Sequence, residues 1–405
     1  MVRSYSGVLG ILLLVLISAP PRATAQPGPD RLSADARLSL ITILPGDPVH
    51  TFAGHSAIRV YDPEQGIDRL YNYGTFNFND PLFIPKFLYG HLRYFLSVSR
   101  YPRALDVYRE QQRPVIEQRL SLTQQQRTDL YRFLRTNALP NNRYYQYDFF
   151  FDNCSTRIRD ALRQTLGNNI SFGDRPDPDL SFRHLLDEYV DRRPALDVGF
   201  DVALGLPADR TATPNEVMFL PEYLMQSFEN ASVTGHGITR SLVSRTDTVQ
   251  WVEGYNSSGG NTTWPTTLAW GFFGLIVLWT GGQVLRGRAP SGRGDAILFA
   301  SVGTVGLLLC FLWFISTYSV TTYNLNLLWA WPTHVIAARQ VVRRPTSKGL
   351  RYYFLATALT ALVLAVGWPY WPQDLHWALF PVTLAVGVRA AWWAFVTSPR
   401  NVFLL

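Results

Sequence analysis

Five apolar runs follow one another near residues 266–285, 296–317, 323–342, 352–371 and 376–397, and they restrict the fold more than any other feature of the chain. A helix needs about 20 apolar residues to cross the hydrocarbon of a bilayer. In lipid every backbone N–H and C=O must be satisfied inside the protein, so these runs predict a five-helix transmembrane bundle. The loops between them differ in charge. Those after the first and third runs hold Arg286, Arg288, Arg293, Arg343, Arg344, Lys348 and Arg351, whereas 317–322 and 372–375 hold no Lys or Arg. The positive-inside bias therefore puts the basic loops and the C-terminus in the cytoplasm, and residues 27–264 on the far side. The formal net charge of +7 reads as membrane topology, with no nucleic-acid partner implied.

The other end of the chain agrees. Arg3, an apolar stretch over 8–19 and Ala23-Thr24-Ala25 before Gln26 read as a signal peptide over 1–25. The expected layout is then an exported domain over 26–250, a Ser/Gly/Thr-rich linker over 251–265 and the spans over 266–397, seated in the inner membrane. With two cysteines in all, one of them inside a span, no disulfide scaffold is possible.

The exported part reads as α+β. Leu38–Leu44, Ser56–Tyr61 and Asp68–Tyr73 are strand-like runs separated by Pro/Gly turns, which predicts antiparallel pairing. Residues 118–122 suggest another strand. Thr123 looks like the N-cap of a helix through Asn137 with Leu130, Phe133 and Leu134 on one face. Asp152 or Asn153 caps a second helix from Cys154 to Leu166, closed by Gly167. Residues 144–151 are aromatic and extended, and 170–230 show no readable order. The aromatic stretch over 73–95 reads first as core and second as an acyl-chain entry surface dipping into the outer leaflet.

Cys154 is the only cysteine of the exported part. An unpaired thiol in an oxidising compartment is a candidate for reactivity. At a helix start, the dipole is expected to lower its pKa from about 8.5. A thiol nucleophile needs a base, normally His, held by a third polar group. His55 stands out among the exported histidines, in Phe52-Ala53-Gly54-His55-Ser56-Ala57-Ile58-Arg59-Val60 at the mouth of a strand. Asn72 is the candidate orienter, with Tyr71 and Tyr73 on the opposite face of its strand. An inert buried cysteine and a backbone-satisfied histidine are the competing readings.

A histidine early on a strand, with a cysteine about 100 residues later at a helix start, resembles the circularly permuted papain-like enzymes, which include lecithin:retinol acyltransferase. More closely, the stretch around His55, Tyr71-Asn72-Tyr73-Gly74-Thr75-Phe76, Tyr147-Asp148-Phe149-Phe150-Phe151-Asp152-Asn153-Cys154-Ser155-Thr156-Arg157, Met218-Phe219-Leu220-Pro221 and Tyr323-Asn324-Leu325-Asn326-Leu327-Leu328-Trp329 are similar to the bacterial Lnb family of lipoprotein N-acyltransferases. The resemblance implies a papain-like periplasmic domain, Cys154 as nucleophile and His55 as its base. It implies a phospholipid acyl donor, a diacylated lipoprotein as acceptor, and no cofactor. It does not fix the third residue.

In the membrane part, Asn324 and Asn326 lie near the periplasmic end of the third run, at the depth of an outer-leaflet ester, and are candidate substrate-binding residues. His334 lies eight residues beyond Asn326, roughly 12 Å deeper at about 1.5 Å per residue, and is expected to be structural. Arg389 is expected to snorkel to the cytoplasmic surface. Trp368, Trp371, Trp377, Trp392 and Trp393 read as interface belts. No P-loop, G-x-S-x-G, H-E-x-x-H or paired C-x-x-C occurs, so neither nucleotide nor metal chemistry is expected. A tethered thiol peptidase or amidase acting on cell-wall peptide, and a non-catalytic lipid or lipoprotein carrier, are the alternatives.

Overall fold

Alternation of side chains in 37–43 sends Leu38 and Leu40 to one face of a sheet and Ile41 and Ile43 to the other, all fully buried. The computed structural model describes residues 30–76, 80–173, 180–255, 263–290, 292–343 and 347–395. The signal-peptide segment, Arg344 and residues 256–262 of the linker lie outside the described residues. The strands are β1 (Arg37–Ile43), β2 (His55–Asp62), β3 (Ile67–Thr75), β4 (Arg93–Arg100), β5 (Val115–Leu120), β6 (Tyr144–Gln146), β7 (Ile170–Ser171), β8 (Ser232–Gly235), β9 (Ile238–Ser241) and β10 (Val243–Gln250). Seven of them form one antiparallel sheet in the order β10-β5-β1-β2-β3-β4-β6, and β7, β8 and β9 form a second.

The helices are α1 (Phe83–Tyr89), α2 (Tyr101–Glu110), α3 (Gln124–Asn137), α4 (Cys154–Leu166), α5 (Phe182–Val190), α6 (Pro194–Ala203), α7 (Pro221–Glu229), α8 (Trp264–Leu285), α9 (Gly292–Phe314), α10 (His334–Arg343), α11 (Lys348–Val366) and α12 (Leu379–Phe395). Leu38, Leu40, Ile58 and Val60 pack with Leu130 and Leu134 of α3 and Ile158 and Leu162 of α4. Ile41, Ile43, Ala57 and Leu70 pack with Tyr101, Ala104, Leu105 and Tyr108 of α2. The sheet is therefore covered on both faces, with α4 on one and α2 on the other. Thr123 caps α3 in a box with Gln126, as its position predicts.

The bundle has three long apolar helices, α8, α9 and α11, and the shorter α12. The third apolar run departs from the expected helix. Its outer half is a 3-10 turn over Leu325–Leu328, and only His334–Arg343 is α-helical. Two local choices explain the break. The Asn324 side chain accepts from the Asn326 N–H (2.9 Å), and Pro332 has no N–H to continue a helix. Irregular backbone at membrane depth must be covered by protein. Gly306 of α9 provides that closeness: a Cβ there would lie 2.0 Å from the Ala330 carbonyl oxygen.

Arg389 does not snorkel. It is fully buried, with Nε and Nη2 on the two Asp295 oxygens (2.6 and 2.8 Å), Nη1 on Thr280 Oγ1 (2.7 Å), and both Nη atoms on Gln283 Oε1 (3.1 Å). Trp279 covers the guanidinium face, 4.1 Å to the ring centre. The reason is the partner: with Asp295 supplied by α9, burial costs less than an unpaired charge in hydrocarbon. Nor do the tryptophans form a belt. Trp368, Trp392 and Trp393 are buried, and Trp393 Nε1 donates to Asp295 (2.9 Å), while Trp371 is half-buried and Trp377 alone of the five is exposed.

Asp295→Asn is expected to destabilise the bundle by about 3–5 kcal/mol, because it strands a buried cation, whereas the pair Asp295→Leu with Arg389→Met costs far less. Thermal unfolding of the full chain in detergent checks this; equal losses in both variants contradict it.

Candidate active site

β2 begins at His55 because the turn before it has no room for a side chain. Gly54 has φ 82°, and a Cβ there would come within 2.8 Å of the Ile43 carbonyl oxygen. Carrying the β2–β3 register on from Ile58–Tyr71 sets Ala57 across from Asn72, with His55 two residues along on the same face. The two side chains meet there: His55 Nε2 is 3.4 Å from Asn72 Oδ1. Asn72 Nδ2 donates to the Leu70 carbonyl (3.3 Å) and to Ser99 Oγ (3.4 Å), which turns the amide oxygen toward the imidazole. An amide oxygen only accepts, so this arrangement assigns the His55 proton to Nε2 and leaves Nδ1 as the base.

Asn153 sets the start of α4. Its Oδ1 accepts from the N–H of Ser155 (2.8 Å) and Thr156 (3.0 Å), and Thr156 Oγ1 accepts from the Asn153 N–H (2.8 Å). Its Nδ2 donates to the carbonyls of Phe149 (2.7 Å) and Phe219 (2.8 Å). Phe219 thus ties the Met218-Phe219-Leu220-Pro221 stretch to the cap, and Cys154 becomes the first helical residue. Cys154 Sγ lies 3.9 Å from Ser155 Oγ, and the backbone N–H groups of Ser56, the residue after His55, and of Ser155 favour its thiolate form. Ser56 Oγ and Ser155 Oγ are 3.0 Å apart, and both residues are fully buried, so they clamp the start of β2 to α4. Gly74, at φ 87°, closes another side: a Cβ there would lie 3.5 Å from that of Cys154.

Electrostatics sets the resting protonation state. Burial pushes the Cys154 thiol up and outweighs the N–H groups that pull the other way. The lowered thiol pKa expected from the helix start is therefore not found. Burial, then the Arg113 cation, lower His55 to about 4 against the opposing bond to Asn72. At neutral pH both groups are therefore neutral, a thiol and an imidazole, the resting states from which general-base attack starts.

Two residues of this environment carry no signal in the sequence. Tyr108 of α2 donates to Asn72 Oδ1 (3.5 Å). Arg113 is buried, with Nε on the Leu44 carbonyl (2.9 Å), Nη1 on Gln111 Oε1 (3.3 Å) and Nη2 without a hydrogen-bond partner. Only the folding of α2 and the segment after it under the sheet brings them here.

Asn324 and Asn326 lie elsewhere. Both are buried, and their Nδ2 atoms donate to the carbonyls of Asp201, Val202 and Ala203 at 2.8–3.3 Å. Their oxygens accept from Asn326 N–H, Gln373 and Trp329, so neither amide bonds to Cys154, His55 or Asn72. His334, expected to be structural, is buried with Nδ1 2.6 Å from the Tyr353 hydroxyl. Asp197, Asp201 and His376 bring donor atoms within 4.8 Å of one another, a spacing that a metal ion fits. Their donors are already engaged: His376 Nδ1 accepts from Ala378 N–H (3.0 Å), Nε2 faces Asp197 (3.3 Å), and Asp201 accepts from Arg183 (2.6 Å).

Residues 31–188 match the Lnb N-terminal periplasmic domain, and residues 257–401 match the Lnb transmembrane domain. The chain belongs to the Lnb family. It is a membrane protein with an N-terminal periplasmic domain. No curated protein and no solved structure matches it. Within the Lnb frame, Cys154, His55 and Asn72 fall in the periplasmic match and Asn324 and Asn326 in the transmembrane one.

An NMR titration of the folded protein is expected to place the His55 ring near pH 4, with Arg113→Met moving it upward. The unfolded chain protonates this histidine near ~6.5, so between those two values the unfolded state binds more protons. Stability should fall as the pH drops from about 6.5 toward 4. A folded-state midpoint near ~6.5 contradicts this account.

Proposed function

We propose that this protein is a lipoprotein N-acyltransferase of the periplasmic face of the inner membrane. It moves a fatty acyl chain from a phospholipid, through a thioester on Cys154, to the α-amine of a diacylated lipoprotein's N-terminal cysteine. The observation that carries this reading is one juxtaposition: a capped-helix thiol, the Ser56 N–H and an Asn72-held imidazole, on a domain joined to an apolar bundle. The order of His55 before Cys154 fits a circularly permuted papain-like domain over 26–250. The layout adopted with it is a signal peptide over 1–25, a linker over 251–265, five crossings over 266–397 and a cytoplasmic C-terminus.

The chemistry follows from the protonation states. His55 Nδ1 takes the thiol proton as sulfur attacks the ester carbonyl of the phospholipid. The tetrahedral adduct collapses, the imidazolium returns the proton to the departing alkoxide, and a lysophospholipid leaves. The acceptor amine then attacks the thioester, His55 removes its extra proton, and sulfur departs to recover that proton. Asn72 keeps Nε2 protonated throughout, so that Nδ1 remains the base. Both substrates lie in the membrane plane, so a tethered site sees them at high effective concentration. Asn324 and Asn326 take a positioning role here, holding the domain to the bundle.

In vesicles carrying phospholipid and a diacylated lipopeptide, Cys154→Ala and His55→Ala are each expected to lose several orders of magnitude of transfer rate. The double variant should be no worse than either, because the residues act as one unit. Asn72→Ala should cost about 10²-fold, the scale of a misplaced catalytic group. More than about a tenth of the native rate in Cys154→Ala overturns the mechanism.

A further inference from the structure

The aromatic stretch over 73–95 is not simply core. Leu82, Ile84, Phe87 and Tyr89 on and beside α1 are 56%, 67%, 44% and 42% exposed, and no residue of that helix is buried. Apolar side chains crowded on one short exposed helix mark an interaction surface. The position of α1 says with what. The Thr317 N–H donates to the Tyr89 carbonyl (3.1 Å), Thr317 Oγ1 donates to the Gly90 carbonyl (3.1 Å), and Phe87 packs against Tyr318 at 6.2 Å between rings. Thr317 and Tyr318 follow α9, whose last residue Phe314 and the next residue Ile315 are 70% and 53% exposed. The α1 surface is thus continuous with the apolar outside of a span, at the end that carries no basic loop.

Behind α1 lies a cavity of about 560 Å³, walled by Phe83, Tyr94 and Tyr145 and lined also by His91, Arg93 and the ion pair of Lys86 with Asp80 (2.5 Å). Tyr145 links its wall to the neighbourhood of the start of α4: the Tyr145 hydroxyl and the Cys154 Cβ lie 3.9 and 3.5 Å from the point where a Gly74 Cβ would sit. An aromatic-walled cavity with Arg93 and the Lys86–Asp80 pair on its lining matches one phospholipid, with the acyl chain inside and the phosphate against Arg93.

We infer that α1 and the cavity behind it are the entry site for an outer-leaflet phospholipid, which slides between α1 and the β4–β6 edge with its ester carried toward Cys154. This rests on the acyl-donor reading above and names the place where the donor enters. Leu82, Ile84 and Phe87 stay in the leaflet, while Arg93 faces the phosphate, with Lys86 and its partner Asp80 beside it.

The test uses the full-length Cys154→Ala protein in phosphatidylethanolamine–phosphatidylglycerol vesicles containing phosphatidylethanolamine with a photoreactive diazirine in one acyl chain. After irradiation, peptide mapping is expected to find label in residues 80–95 and 144–146 as well as in the spans. Ile84→Asp with Phe87→Asp should reduce the label in those two segments by about tenfold or more, the factor that corresponds to roughly 1.4 kcal/mol of lost apolar burial. Both side chains are exposed, and unchanged label in α8–α12 verifies folding and insertion. Label confined to the spans, or unaffected by the acidic pair, overturns the inference. Competition by a diacylated lipopeptide but not by unlabelled phospholipid overturns it too, in favour of an acceptor site. Labelling of the site in Cys154→Ala, together with a native chain that transfers no acyl group in the same vesicles, would refute the acyltransferase reading alone.

Discussion

The molecule depends on a joint made of side-chain amides. The last carbonyls of α6 have no partner within their own helix. Asn324, Asn326 and Gln373, all buried at the outer end of the bundle, donate to the carbonyls of residues 201–204. Leaving any of these buried groups unpaired costs about 1–3 kcal/mol, so the exported domain and the bundle hold each other in one arrangement. The contact is also tight: a Cβ on Gly205 would lie 1.9 Å from the Thr322 carbonyl oxygen. With α1 hydrogen-bonded to Thr317 at the same outer end, the domain is fixed at two places. On the proposed acyl transfer, these contacts would hold the thiol at a fixed height above the leaflet.

The site itself stores no ion pair. Burial favours the neutral form of both His55 and Cys154, and Arg113 adds to the effect at the histidine. A permanently ionised thiol on the oxidising side of a membrane is exposed to oxidation, because susceptibility follows thiolate character. In the proposed mechanism the thiol rests neutral and becomes nucleophilic only as His55 takes its proton in the attack. The buried Arg389–Asp295 pair in the bundle follows a different logic, because both charges are kept and satisfied by each other.

What the sequence made legible was whatever local physics decides. β1 to β3, α3, α4 and the apolar helices follow from side-chain alternation, caps and length. Asn153 could be named as a cap for Cys154 because the cap is a local motif. The meeting of His55 with Asn72 was not legible, since one residue of register would turn Asn72 to the opposite face. Tyr108 and Arg113 reach the site through tertiary folding alone. The broken third span and the buried Arg389 were misread for a shared reason. Each depends on a partner from another segment, Gly306 and the Asp201–Ala203 carbonyls in one case and Asp295 in the other.

The central claim is that Cys154 carries an acyl chain as a thioester. The most direct test is intact-protein mass spectrometry after incubating the full chain with phospholipid vesicles and no acceptor. The account predicts a mass increase of one fatty acyl group on Cys154, removable by neutral hydroxylamine, absent in Cys154→Ala and formed far more slowly in His55→Ala. Acyl transfer to a later-added lipopeptide without any such adduct, or an adduct that survives in Cys154→Ala, would contradict it.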